Sequence, residues 1–255
     1  MDITAITIRD ALDLLHEWRH PVLVLVFSCA AVGVAGVGIF FLLVTTLVQS
    51  YRQPPEKHPH GASAMFVLGS GGHTTELLGM ISQLDFALYP TRTYVSFSGD
   101  TLSTVRALQL EREKSVTTTS TTTTTTSAAP APAPGQVTTL ALPRARTVGQ
   151  SYFTSIFTSA ACGFECVFAV AKVRPDIVVC NGPGSCVLIC FAALVLRATR
   201  IKLTRLVYVE SIARVNSLSL TGRILISVVD RFIVQWPALA EQYKDKGVEY
   251  FGILA

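Results

Sequence analysis

A long apolar segment lies near the amino terminus of the chain. Residues 21–48 form a run of 28 residues without a charge, and about 20 apolar residues suffice to cross a bilayer as a helix. A cleaved signal peptide is the alternative, but its apolar core has roughly 7 to 15 residues behind a basic leader. The leader here, residues 1–20, contains more acidic than basic residues. We therefore expect a retained, single transmembrane anchor over 21–48, whose orientation the balanced flanking charges do not predict.

After a juxtamembrane linker, residues 49–63, short apolar runs alternate with longer segments through to residue 255. The six predicted strands are 64–68, 92–98, 137–142, 177–180, 203–209 and 231–236. Helical patterns at 152–173, 186–197 and 220–228 separate the later strands. Because this alternation is typical of βαβ units, residues 64–255 are predicted to form one α/β domain with a Rossmann-like parallel sheet.

Residues 115–135 interrupt this pattern with a threonine run followed by alternating alanine and proline. Such a segment has no apolar side chains to bury and does not form a core. In a secretory lumen this composition would suit an O-glycosylated stalk, but the tract lies within the domain and not beside the anchor. We therefore predict a disordered loop insertion at 115–135.

Composition supports a membrane protein, since half of the residues are apolar and only 15% are charged. Residues 49–255 contain 19 Lys and Arg against 13 Asp and Glu, which gives a balance of +6. Basic clusters with interleaved aromatic residues are absent from the sequence. The charge therefore favours anionic ligands or headgroups and not nucleic acid.

The six cysteines fall in apolar stretches, with Cys29 inside the predicted anchor. The sequence has no C-x-x-C motif and no histidine at ligand spacing from a cysteine, so we expect neither a metal site nor another cofactor. Buried, reduced thiols favour a cytosolic domain. The alternative is a disulfide between Cys186 and Cys190, which helix geometry disfavours.

Two glycine-rich turns carry the candidate chemistry. Gly-Ser-Gly-Gly-His-Thr-Thr-Glu at 69–76 follows the first predicted strand, and Asn-Gly-Pro-Gly-Ser at 181–185 follows the fourth. Glycines let backbone N–H groups approach an anion closely, and a helix amino terminus adds its positive dipole end. The candidate phosphate ligands are Gly69, Ser70, Gly71, Gly72, Thr74, Asn181, Gly182 and Gly184. Each turn could equally be an ordinary strand-to-helix connection. The first turn matches neither nucleotide-binding pattern, which disfavours a self-sufficient dinucleotide enzyme.

Two residues near these turns are candidate general bases, His73 and Glu210. An imidazole titrates near neutral pH, but His73 could instead bond to the loop or to a phosphate. Glu210 follows the fifth strand, where it could accept hydrogen bonds from sugar hydroxyls, cap the next helix or pair with Arg214. The sequence leaves these alternatives open.

The carboxyl terminus ends in an apolar tail, in which Phe251, Ile253 and Leu254 are the large side chains. Free termini are normally polar and frayed. These three residues could contact a partner protein, and the residues alone leave this interpretation and the next one open. The alternative is that the tail adds a final strand or packs on the core of its own domain.

Five motifs occur in order behind the single span: GSGGHTTELL, PRARTVGQS, NGPGS, VYVESIARVNSLSLTG and DRFIVQW. Together they resemble the asparagine-linked glycosylation fourteen family, the membrane-anchoring subunits of the dolichol-pathway UDP-N-acetylglucosamine transferase. The resemblance covers residues 64–255 apart from the Thr/Pro tract. The chain is also similar to the amino-terminal half of the bacterial lipid-linked muramyl-pentapeptide transferase, a two-domain type B glycosyltransferase.

The resemblance implies a subunit that is inactive alone and depends on a soluble catalytic partner for most of the UDP-sugar site. It also favours contact between that partner and the tail residues Phe251, Ile253 and Leu254. The complete enzyme would add the second N-acetylglucosamine to N-acetylglucosaminyl-diphospho-dolichol. It implies a domain that faces the cytosol from the endoplasmic reticulum membrane, or from the nuclear envelope membrane continuous with it. The alternative is a membrane scaffold that only recruits the catalytic protein.

Overall fold

The computed structural model describes residues 61–121, 135–145 and 152–254. The predicted leader, the anchor at 21–48 and nearly all of the linker lie outside these residues, as does Cys29. Within the three described ranges, no helix combines the length and the hydrophobicity needed to cross a bilayer.

The described residues form a seven-stranded, all-parallel sheet with the strand order β3-β2-β1-β4-β5-β6-β7. The strands are β1 (Ser63–Val67), β2 (Thr91–Phe97), β3 (Gln136–Leu142), β4 (Ile177–Asn181), β5 (Arg205–Val209), β6 (Arg231–Val234) and β7 (Val248–Tyr250). The six predicted strands are all present, with ends shifted by one or two residues. The short edge strand β7 corresponds to the alternative in which the carboxyl-terminal segment adds a final strand.

Helices connect successive strands of the sheet. They are α1 (Gly72–Ser82), α2 (Thr101–Thr121), α3 (Tyr152–Val173), α4 (Ser185–Ala198), α5 (Leu220–Leu225) and α6 (Pro237–Gln242). The three predicted helices are confirmed, although α5 ends at Leu225 and not at residue 228. Cys162 and Cys166 lie on the buried face of α3, whereas Phe164 and Phe168 are exposed.

The predicted start of the insertion at Ser115 is too early, because α2 continues through Thr121. Once a helix has formed on packed residues, each further residue adds a backbone hydrogen bond at little cost, even in a polar segment. The Ser115 hydroxyl also donates to the Glu111 carbonyl one turn earlier, at 2.8 Å. Residues 122–134 lie outside the described residues.

A buried ion pair fastens α2 to β2. Arg92 Nε and Nη2 each donate to the Glu111 carboxylate at 2.7 Å, and the Tyr94 hydroxyl donates to it at 2.6 Å. Burial, reinforced by Glu111, raises the pKa of Tyr94, so this hydroxyl stays protonated as a donor. The pair holds α2 in place, and α2 in turn positions Ser103 near the end of β1.

All five cysteines of the described ranges are buried and free, as expected from their apolar surroundings. The sulfur atoms of Cys162 and Cys166 are 4.0 Å apart, and those of Cys180 and Cys190 are 3.9 Å apart. Cys186 forms no disulfide with Cys190 or with any other described cysteine.

The strand order reverses between β1 and β4. The chain moves outward from β1 through β2 to β3, then crosses back to place β4 on the other side of β1. The helices that follow β1 and β4 therefore leave the sheet on opposite faces, which opens a crevice at the carboxyl ends of these two strands. Both glycine-rich turns lie at this crevice.

Candidate functional site

The two glycine-rich turns touch each other at the switch point, the crevice where the strand order reverses between β1 and β4. A Cβ at Gly69 would lie 2.8 Å from Cδ of Pro183 and 3.3 Å from the carbonyl oxygen of Asn181. Both distances are shorter than an ordinary carbon contact, so only glycine fits here. The two turns are therefore neighbours in the fold, although residues 69 and 181 are far apart along the chain.

The His73 side chain lies between the two turns. A Cβ at Gly182 would lie 2.4 Å from both Cγ and Nδ1 of His73, and a Cβ at Gly69 would lie 2.6 Å from its Cβ. Gly182 also has a φ of 103°, in the region that favours glycine. The two buried glycines thus leave the space that the imidazole and its stem occupy.

A hydrogen bond joins His73 to the second turn. Its Nδ1 lies 3.1 Å from Oδ1 of Asn181, which is fully buried at the end of β4. The amide nitrogen of Asn181 donates to Glu76 Oε2 at 3.0 Å and to the Val209 carbonyl at 3.3 Å. His73 is therefore connected to α1, β4 and β5 through one side chain.

Glu76 is held in turn by the segment after β5. Its Oε1 accepts from the Ser211 hydroxyl at 2.8 Å, and its Oε2 accepts from the Ile212 N–H at 3.3 Å. Glu76 is not among the site residues predicted from the sequence. The available signal was its position three residues after His73, which places both on the same side of α1.

The amino terminus of α1 is open on its outer side. Ser70, Gly71 and Gly72 are exposed, and no atom lies within 4 Å of a Cβ built on Gly71 or Gly72. The cap residue Gly71 has a φ of 64° and provides no side-chain hydrogen bond to the first turn. The first N–H groups of α1 can therefore bind an external acceptor, such as a phosphate. Gly184, at the start of α4, is open in the same way.

Thr74 lies on the opposite, buried side of the turn. Its hydroxyl contacts the Gly69 carbonyl oxygen and lies 2.6 Å from Oγ of Ser103. Ser103 in turn donates to Asp100 at 2.6 Å. The geometry therefore gives Thr74 a part in holding the turn against α2.

Glu210 lies beneath the crevice and is only 1% exposed. Its Oε2 accepts from the N–H and the hydroxyl of Ser219 at 3.0 and 3.1 Å, and its Oε1 accepts from the Ser211 N–H at 3.3 Å and the Tyr208 hydroxyl at 3.4 Å. Ser219 is the N-cap of α5 and accepts from the Gly222 N–H at 2.9 Å. Glu210 therefore supports a helix cap, and among the described residues no ion pair joins it to Arg214.

Two arginines that the sequence analysis did not select lie near the same edge. Arg106 on α2 donates to the Thr75 hydroxyl at 3.1 Å, and Arg144 follows β3 with Nη2 4.0 Å from a Cβ built on Gly99. Their charge suits an anionic ligand. The part of the chain that the structure describes contains no group of three or more His, Cys, Asp or Glu residues that could hold a metal ion.

The carboxyl-terminal tail leaves the sheet after the edge strand β7. Phe251 and Ile253 are 59% and 57% exposed. Leu254 is half-buried, and its N–H donates to Oε1 of Gln235 at 3.1 Å. The tail is thus anchored at Leu254 and presents two large apolar side chains to solvent.

Residues 64–254 match the family described as "Oligosaccharide biosynthesis protein Alg14 like". A Yarrowia lipolytica relative is 46% identical over 193 residues, which cover 74% of this chain and 80% of the relative. A human relative is 38% identical over 225 residues, covering 87% and 95%, and a Schizosaccharomyces pombe relative is 38% identical over 233 residues, covering 90% and 99%. Each is named UDP-N-acetylglucosamine transferase subunit ALG14.

Among solved structures, the crystal structure of Acinetobacter baumannii MurG is similar with a TM-score of 0.48 and 11% sequence identity. The match covers 74% of this chain and 45% of that chain, so this chain spans less than half of it. A similarity at this level supports no inference about function.

The two glycines of the second turn should respond differently to alanine. Gly182→Ala forces a positive φ and a Cβ into the imidazole, and is expected to lower the free energy of unfolding by about 1–3 kcal/mol. Gly184 has a φ of −56°, and a Cβ there meets open space. Gly184→Ala should therefore change the free energy of unfolding by no more than about 0.5 kcal/mol. Urea unfolding of the full-length chain in detergent measures both, and equal losses would contradict the assigned packing of His73.

Proposed function

The chain belongs to the Alg14 family of oligosaccharide biosynthesis proteins, and from this premise we propose that it is the membrane-anchored subunit of a UDP-N-acetylglucosamine transferase. In this proposal the complete enzyme adds N-acetylglucosamine to N-acetylglucosaminyl-diphospho-dolichol. A soluble catalytic subunit supplies most of the donor site. The predicted anchor at 21–48 keeps the domain on the cytosolic side of the endoplasmic reticulum membrane, where the lipid acceptor lies.

This proposal rests on the exposed backbone at the start of α1 and α4, beside the crevice between β1 and β4. Gly71, Gly72 and Gly184 expose backbone with no neighbouring atoms in the way of a ligand. Uncapped N–H groups and the positive end of the α1 dipole favour a diphosphate there. We assign these three glycines and Ser70 to acceptor binding, whereas Gly69, Gly182 and Thr74 support the turns from inside.

In the transfer step, an acceptor hydroxyl oxygen bonds to the anomeric carbon of the donor sugar. The bond from that carbon to the diphosphate of UDP breaks, and UDP leaves with the electron pair. The hydroxyl proton must go to a base within reach. We assign this role to His73, because Glu210 is enclosed and its carboxylate already accepts four internal hydrogen bonds.

We assign the binding of the catalytic subunit to the exposed carboxyl-terminal tail. Exposed aromatic and aliphatic side chains that sit close together are typical anchors of protein interfaces. Phe251 and Ile253 follow β7 at the edge of the sheet, and the Leu254 hydrogen bond to Gln235 holds them in place. We propose that this tail is part of the surface that binds the catalytic subunit.

The purified full-length chain should transfer no N-acetylglucosamine from the UDP-sugar to a diphospho-dolichol acceptor. Transfer should appear when the soluble catalytic subunit is added, because one Rossmann-like domain provides only half of a type B site. The measurement is radiolabelled sugar transfer to the lipid acceptor with and without the partner. Robust transfer by the chain alone would refute the proposed division between subunits.

The substitution Gly72→Ala tests the acceptor site. An added methyl meets no atom of the protein, and alanine stabilises a helix relative to glycine by about 0.5–1 kcal/mol, so folding should be preserved. The methyl would occupy the open space through which the phosphate reaches the backbone N–H groups. A hydrogen bond to a charged group is worth about 1.5–3 kcal/mol, so blocking one predicts at least a tenfold fall in kcat/KM for the acceptor. The donor KM should change little.

The matched control is Gly163→Ala on α3, where the new Cβ makes only an ordinary contact, 3.9 Å from Leu188. Its kinetics should equal those of the unaltered complex. Unchanged acceptor kinetics in the Gly72 variant would favour the scaffold alternative.

The tail assignment predicts that Ile253→Asp weakens association with the catalytic subunit at least tenfold, because a charge would be buried against the partner. The matched control is Ile201→Asp in the connection before β5, at the end of the sheet where the parallel strands begin; Ile201 is 50% exposed. Both variants should reach the membrane normally. Co-purification and titration with the partner measure the effect, and equal retention by the two variants would reject the interface.

A further inference from the structure

We propose that Glu76 and Asn181 are positioning residues that fix His73 in the tautomer with a proton on Nδ1 and a free lone pair on Nε2. The inference deepens the proposed function, on which its kinetic consequence rests. The structural part, the tautomer of His73, follows from the hydrogen bonds alone.

The orientation of the Asn181 amide is determined by its two other partners. Val209 offers a backbone carbonyl and Glu76 a carboxylate, and both groups only accept hydrogen bonds at neutral pH. The nitrogen of the amide must therefore face them, at 3.3 and 3.0 Å. Oδ1 is left as the atom that faces His73.

The orientation of the amide decides the tautomer of the imidazole. Because Oδ1 can only accept, the 3.1 Å contact is a hydrogen bond only if Nδ1 carries the proton. The neutral ring then has its lone pair on Nε2. Within residues 61–121, 135–145 and 152–254, Nε2 has no hydrogen-bond partner, so it is the nitrogen available to a substrate hydroxyl.

Glu76 is itself prevented from turning away. Oε2 binds both Asn181 and the Ile212 N–H, while Oε1 binds the Ser211 hydroxyl. The carboxylate therefore joins α1 to β4 and to the segment after β5. The close contacts with Gly69 and Gly182 fix the position of the His73 ring. This chain of hydrogen bonds determines which of its nitrogens carries the proton.

Catalysis needs this tautomer in the free enzyme. A ring with its proton on Nε2 would present a donor to the acceptor hydroxyl and could not take its proton. A wrong tautomer is costly in enzymes that use a histidine base, and general-base catalysis is worth roughly 10²–10⁴-fold. Loss of the positioning pair is therefore expected to lower kcat by about tenfold or more, with little change in acceptor KM.

The direct test is nitrogen NMR of the full-length chain in detergent with ¹⁵N-labelled histidine. His73 is assigned by the signals that vanish in His73→Gln. In the unaltered chain Nε2 should give the resonance of an unprotonated ring nitrogen and Nδ1 that of a protonated one. In Glu76→Ala the two tautomers should mix, since Asn181 loses one of the two acceptors that orient its amide.

The conservative variant Glu76→Gln separates positioning from simple folding. Its side-chain oxygen can replace Oε2 toward Asn181 and Ile212, and its nitrogen can donate to the Ser211 oxygen. The tautomer should therefore be retained, and kcat of the reconstituted complex should return to within about threefold of the unaltered enzyme. The control Glu113→Ala, at an exposed glutamate of α2, should change neither the spectrum nor the kinetics.

Either of two results overturns the proposal: a protonated Nε2 in the unaltered chain, or a Glu76→Ala chain with unchanged tautomer and kcat. Equal loss of kcat in Glu76→Ala and Glu76→Gln would also overturn it. If Glu76→Ala does not fold, the spectra of the unaltered and Glu76→Gln chains still decide. A complex that transfers no sugar at all would refute the proposed function, while the spectra would still test the tautomer.

Discussion

The site depends on one constraint, the reversal of strand order between β1 and β4. In a parallel sheet the carboxyl ends of all strands lie at one edge, but most neighbouring connections leave on the same face and cover that edge. Only at a reversal do the following helices leave on opposite faces and keep the crevice open. Here the turns that lead into α1 and α4 are in contact through Gly69 and Pro183, and this juxtaposition lets His73 and Glu76 bond to Asn181.

Glycine serves two opposite purposes at this crevice. At Gly69 and Gly182 the missing side chain is replaced by protein, because the His73 imidazole and its stem fill the space. At Gly72 and Gly184 the space stays empty, so the backbone is accessible from outside. Both uses follow from the absence of Cβ. The sequence motif alone does not distinguish a glycine whose space is filled by protein from one whose space stays open. The three-dimensional neighbours decide which glycine supports the site and which one meets a ligand.

The sequence predicted those features that depend on local patterns. Alternating apolar runs located the six strands, and glycines next to strand ends located the crevice. The missed features all depend on contacts between distant segments. Glu76 acquires its position from Asn181 and Ser211, and Thr74 is turned inward by Ser103. None of these three partners can be recognised from the turn itself, because Asn181 ends β4, Ser211 follows β5 and Ser103 lies on α2.

A series of hydrogen bonds connects the exposed tail to Asn181, the hydrogen-bond partner of His73. The Leu254 N–H donates to Gln235, whose amide nitrogen donates to the Glu210 carbonyl at 3.1 Å. The next residue, Ser211, bonds to Glu76, which orients Asn181. The first two of these bonds join segments that follow neighbouring strands, and the last two join α1 to the segment after β5 and to the end of β4. Buried polar groups of this kind are costly to leave unsatisfied. In the proposed complex, a partner docked on the tail would therefore meet a surface whose position relative to His73 is set by the fold, and the two halves of the divided site would align without a rearrangement of this domain.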